Sequence, residues 1–118
     1  MAEDAFLRAL TALEEVIADN DKRAKLIKKR MARIRRARSQ GVAYSDTVTN
    51  EDGPLIVQLL TEASKALDTC GANVRRAEAQ ALYEEGMTME QIADHFGVTR
   101  QRVSVLLRKR IEAEGGQA

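Results

Sequence analysis

The chain has 118 residues, of which 44% are hydrophobic, 31% charged and only 3% aromatic, with a net charge of +1. That length holds one domain, or a small domain with an extension. A single cysteine (Cys70) and a single histidine (His95) exclude an internal disulfide and a Cys/His zinc site, and the scarcity of aromatic rings with no Trp argues against a stacking platform for single strands.

The small net charge conceals a strong polarity. Residues 1–21 carry six acids (Glu3, Asp4, Glu14, Glu15, Asp19, Asp21) against Arg8 alone. Residues 22–38 carry ten bases and no acid, and from Val98 to Ile111 there are five bases and no acid. Two positive blocks therefore sit in an otherwise acidic chain. No segment is apolar for the roughly 20 residues that span a bilayer, and the start of the chain lacks the charged-then-apolar pattern of a secretion signal. No membrane contact, metal or cofactor is expected, and the expected location is the cytoplasm.

Helix formers dominate, strand-like alternation is absent, and Pro54 is the only proline. The expected fold is all-α: a long N-terminal coiled-coil-like helix and a C-terminal helical bundle. The first element covers residues 1–40. Its apolar residues step by three and four, with Phe6, Leu13, Asn20, Ile27 and Ile34 in one row and Leu10, Ile17, Ala24 and Met31 in the other. This is a heptad seam, and a helix with only a stripe to bury asks for a partner. A second copy of the chain would supply one, with Asn20 fixing the register. A break at Asp19–Asp21 would instead fold the acidic half onto the basic half, and packing within the subunit is the third arrangement. Without Gly or Pro at the break, one long dimerisation helix is favoured.

Residues 41–53 collect the turn formers and read as a linker. Residues 54–112 read as the helical bundle. Pro54 suits a first helical turn, and Leu55, Ile56, Leu59, Leu60, Ala63, Ala66 and Leu67 recur at helical spacing up to Cys70, expected to be buried or half-buried, and a stop at Gly71. A further helix spans about Asn73 to Glu85, with Val74, Ala77, Ala81 and Leu82 inward and Gly86 as its stop. Thr88, with Gln91 three residues on, caps a short helix. Gly97 breaks it and Thr99 caps the last one, and residues 113–118 read as a disordered tail. Within residues 88–110, Ile92, Ala93, Phe96, Val98, Val103 and Leu106 are expected to fill the angle of a helix-turn-helix, with Gly97 in its turn.

The run Thr88 to Val103, "TMEQIADHFGVTRQRV", resembles a DNA-binding helix-turn-helix. It is most similar to the DNA-reading end of bacterial sigma factors, and to related short regulators and recombinase DNA-binding domains. The resemblance covers about residues 75–110 and rests on Ala93, Gly97, Val98 and the opening Thr99, Arg100, Arg102, Val103. It implies that Arg100 and Gln101 face base edges, joined by Ser104 and Val105. Arg suits the guanine acceptor pair and Gln the adenine edge. Thr88, Thr99, Arg102 and Arg108 suit phosphate, which positions without specifying, with an exchange of roles between Arg102 and Arg100 as the alternative. His95 reads as a surface residue.

The other basic block comprises Lys22, Arg23, Lys25, Lys28, Lys29, Arg30, Arg33, Arg35, Arg36 and Arg38. It reads as a second surface that grips phosphate, as a partner for acidic residues of its own or a second copy, or as a solvated face. The sequence as a whole points to a bacterial, sequence-specific regulator of transcription that binds double-stranded DNA as a homodimer at two half-sites. An architectural nucleoid protein using the basic helix, and an adaptor for RNA polymerase or a sigma factor, are the alternatives. No catalytic set of residues appears, so no enzyme is expected.

Overall fold

The structure is a computed structural model that describes residues 4–49 and 53–116, with side chains described as far as Arg108. It is all-α. Helix α1 runs Ala5–Ser39, α2 Tyr44–Thr49, α3 Ile56–Glu84, α4 Met89–Phe96 and α5 Arg100–Gly116. None of the helices is long and apolar enough to cross a membrane, and no cluster of metal-ligating side chains occurs among the described residues. The chain packs as two compact units, one formed by Met1–Leu13 with Thr69–Ala118 and the other by Glu14–Asp68.

Helix α1 passes through Asp19–Asp21 without interruption, so the acidic half does not fold back on the basic half. Asp4 caps its start, accepting from the Leu7 N–H at 2.9 Å. It ends at Gly41, where the Val42 N–H reaches the Ala37 carbonyl at 3.0 Å, as in a Schellman turn.

In the unit Glu14–Asp68, α1 lies against the first half of α3. Asn20 Nδ2 donates to the Ala63 carbonyl at 3.2 Å while its Oδ1 accepts from Arg23 at 2.8 Å, and Arg23 meets Glu62 at 3.6 Å. Farther along, Ile34 lines an apolar cleft of about 490 Å³ with Val48, Thr49, Leu55, Ile56 and Val57. Later residues of α1 thus meet earlier residues of α3, and the two run antiparallel. The packing divides the residues of the expected dimer seam. Phe6, Leu13, Asn20, Ile27 and Ile34 are all half-buried, but Ile17, Ala24 and Met31 of the second row are exposed. Beside Asn20, Ile27 and Ile34 the half-buried positions are Val16, Arg23, Arg30 and Ala37. Asn20, expected to set the register of a coiled coil, spends its amide on its own chain.

The stretch expected to be a linker contains α2, whose Tyr44 ring lies 4.4 Å beneath the Arg38 guanidinium. Residues 50–52 of that stretch lie outside the described residues. A correction concerns Gly71, expected to stop a helix. It lies inside the continuous α3, and its backbone does not take the left-handed conformation of a C-terminal stop. A glycine within a helix costs roughly 0.5–1 kcal/mol relative to Ala, too little to break one with good formers on both sides. Helix α5 is helical through residues 113–116, part of the stretch expected to be a tail, and residues 117–118 are outside the described residues.

Candidate nucleic-acid interface

The other unit holds the end of α3, α4 and α5. Their core consists of Ala79, Ile92, Ala93, Val103, Leu106 and Leu107, with Leu82, Met87, Met89 and Phe96 packed against it. Ile92, Val103 and Ala79 are fully buried. Ala93, at 5% exposure, is the small residue that lets α4 and α5 come close. Sequence spacing found most of this core but misplaced one member. Val98, expected inside, is 40% exposed. It is fastened by its backbone, the N–H donating to the Ala93 carbonyl at 3.0 Å, which leaves the side chain free to point outward. Leu107 is buried instead, because the inward positions of α5 are Val103, Leu106 and Leu107, at helical steps of three and four.

The turns are set by caps. Thr88 and Gln91 form a complete capping box. Thr88 Oγ1 accepts from the Gln91 N–H at 3.1 Å, and Gln91 Oε1 accepts from the Thr88 N–H at 2.9 Å. Gly97 ends α4 at φ 69°, in the left-handed region where a side chain is penalised. Thr99 then opens α5, its Oγ1 accepting from the Arg102 N–H at 3.1 Å and its carbonyl from the Val103 N–H at 3.2 Å. Both threonines spend an acceptor on the cap and keep the hydroxyl proton to donate, so capping and phosphate contact are compatible.

With Val103, Leu106 and Leu107 inward, the rest of the first two turns of α5 faces out. Gln101, Val105 and Arg108 follow one another at steps of four and three along the side opposite the core, with Ser104 beside them. Gln101 and Arg108 are exposed, and Ser104 and Val105 are half-buried. Arg100 and Arg102, both exposed, flank this row from either side. Arg108, expected at the phosphates, thus shares the line of the expected base readers, and Arg100, expected at base edges, stands at its margin.

Arg100 also has a neighbour that sequence reasoning missed. Its Nη1 is 3.9 Å from Glu90 Oε1, with side chains 68% and 77% exposed. These two, with Tyr83, Thr88 and Met89, line an open cleft of about 450 Å³ where α4 and α5 begin. The first N–H groups of a helix attract anions, and the Arg100 guanidinium and the Thr88 hydroxyl add donors to that side of the cleft. Glu90 opposes them. Tyr83 carries a further hydroxyl and was missed because it reads only as an exposed residue in the last turn of α3. His95 is exposed, with Nε2 3.8 Å from Glu78 Oε1, and it belongs to the surface as expected.

In the other unit, the basic block divides. Arg23 and Arg30 are half-buried, Arg23 against Asn20 and Glu62, and Arg38 covers Tyr44. Lys22, Lys25, Lys29, Arg33 and Arg36 form an exposed line along α1 at steps of three and four, on the side away from α3. Lys28 and Arg35 are exposed on a separate strip.

The sequence model of the homeodomain-like domain matches residues 73–118, less than half of the chain. That part is a helix-turn-helix domain of the DNA-binding kind, whose first helix is the second half of α3. The narrower likeness to sigma factors has no counterpart in the match. Comparison with curated proteins and with solved structures gives no match.

Proposed function

We propose that the protein is a sequence-specific regulator of transcription that binds double-stranded DNA as a homodimer, with α5 as the helix that enters the major groove. The observation that carries the reading is the outer side of α5. A helix-turn-helix holds Gln101, Ser104, Val105 and Arg108 clear of the core between Arg100 and Arg102, with no acidic side chain in the row. Long donors at the first turns of a helix are what readout of base edges needs. Gln101 and Arg100 reach bases, with Ser104 and Val105 making shorter contacts. Thr88, Thr99 and Arg102 hold the phosphates beside the row, and Arg108 holds a phosphate at its far end. Two copies, each presenting one such helix, would read an operator of two half-sites.

The test is a duplex selected from a random library, compared with scrambled DNA at one fixed salt concentration. The Arg100→Ala, Gln101→Ala double variant is expected to lose preference for the selected duplex while keeping much of its affinity for scrambled DNA. An equal loss on both duplexes would remove the base-reading assignment.

A second reading draws on the exposed line Lys22, Lys25, Lys29, Arg33 and Arg36. If this line were the main grip, the protein would be architectural, binding most sequences alike and strongly dependent on salt. The ratio of selected to scrambled affinity separates the two readings. In the favoured one the line adds affinity without choosing a sequence, and the site of action is the nucleoid of a bacterial cytoplasm.

A further inference from the structure

Packing α1 against α3 leaves one exposed row of α1 with a pattern of its own. Its members are Glu14, Ile17, Asp21, Ala24, Lys28, Met31 and Arg35, at steps that alternate three and four. All seven are exposed, with Ile17 at 49% and Met31 at 38%. Large apolar side chains repeated along one open strip of a helix mark a contact surface. The row lies on the edge of the α1–α3 pair opposite the Arg23–Glu62 bridge. Counted at about 100° per residue, Leu60 and Leu67 of α3 fall on the same edge, and they are 51% and 46% exposed.

The order of charges along the row says what covers it. Glu14 and Asp21 occupy the first half and Lys28 and Arg35 the second, with Ala24 between. Turned end for end about Ala24, the row becomes its own complement. Glu14 meets Arg35, Ile17 meets Met31, and Asp21 meets Lys28. Laid parallel, the same row sets every charge beside its like. Two helices can approach closely where a small residue marks their crossing, and Ala24 stands there. An isologous contact of this kind is what a two-fold dimer requires.

We propose that this row is the dimer interface, seating α1 of one copy antiparallel against α1 of a second, with the crossing at Ala24 and the Leu60 and Leu67 edge of α3 completing the apolar surface. The proposal deepens the dimeric reading above and rests on it for its use. It leaves the line from Lys22 to Arg36 outside the contact, free for phosphate. Opposite charges at a rim add less to affinity than to orientation, which here is the property to be decided.

Cross-linking of the full chain tests it, in a Cys70→Ala background so that only introduced thiols react. Oxidation should join two copies of the Ala24→Cys variant. Ile17→Cys and Met31→Cys should each stay uncoupled alone and form a covalent dimer when mixed. A covalent dimer of Ile17→Cys with itself would overturn the antiparallel pairing, as would a wild-type chain that sediments as a monomer at tens of micromolar. Charge reversal is an independent arm. Glu14→Lys with Asp21→Lys should weaken dimerisation at least tenfold, and adding Lys28→Glu with Arg35→Glu should restore it. Failure of the fourfold variant to restore it would contradict the pairing. The DNA reading stands apart from this outcome. A monomeric wild type that still prefers its selected duplex overturns the pairing and the dimeric reading but leaves base reading by α5 standing, whereas a dimer that binds no duplex overturns the DNA reading and leaves the pairing supported.

Discussion

At the scale of single residues, the caps and the reading row make separable predictions. Gly97 has open space where a side chain would be added, so Gly97→Ala meets no clash and tests the backbone alone. Holding φ near 69° with a side chain should cost roughly 1–2 kcal/mol, seen as a lower midpoint in denaturant. Thr88→Ala removes one half of the capping box and should cost about 1 kcal/mol in the same measurement. Glu90 is a carboxylate within reach of Arg100, in a pair exposed enough to contribute little to stability. Glu90→Gln should therefore leave unfolding unchanged and tighten DNA binding up to about fivefold, the equivalent of 1 kcal/mol. Weaker binding would mean that Glu90 orients Arg100 rather than competing for it. The sequence made the caps legible because Thr-x-x-Gln is the pattern of a capping box, and Gly97 stands two residues before a second capping threonine, Thr99. It did not reveal Glu90 beside Arg100, because that neighbour is set by the crossing of two helices and not by spacing along either one.

At the scale of elements, the helix-turn-helix was legible almost residue by residue, and the long helices were less so. Ile92 and Val103 were identified from steps of three and four, and both prove fully buried. Ile92→Ala should cost about 2–5 kcal/mol, lowering stability and DNA binding together as the angle between α4 and α5 is lost. A variant that unfolds no more easily than wild type would mean that the core lies elsewhere. The expected stop at Gly71 fails, and the seam of α1 divides, for a common reason. A glycine can stop a helix or ride within one, and a heptad row can face a second copy or a neighbouring helix of the same chain. Local sequence does not distinguish these cases, because packing decides them. Here Asn20, bonded to the Ala63 carbonyl, decides the second. The result divides the seam rather than discarding it, since one row is half-buried within the subunit and Ile17, Ala24 and Met31 of the other stay open.

At the scale of the whole molecule, charge is segregated by place. The five bases of the outer line on α1 are distinct from Arg23, half-buried against Asn20 and Glu62, from Arg38, stacked on Tyr44, and again from the arginines of α5. Neutralising Lys25, Lys29, Arg33 and Arg36 together should flatten the dependence of log affinity on log salt, by about 0.9 for each phosphate no longer neutralised, while preference among sequences is kept. An unchanged slope would mean that this line never meets DNA. The net charge of +1 gave no hint of that arrangement, whereas the positions of the acidic and basic blocks did. The central claim, that α5 reads sequence, is tested most directly by affinity for a selected duplex against scrambled DNA at physiological salt. The account predicts a ratio of at least about a thousand, lost in the Arg100→Ala, Gln101→Ala variant. A ratio near one for the wild-type protein would contradict it.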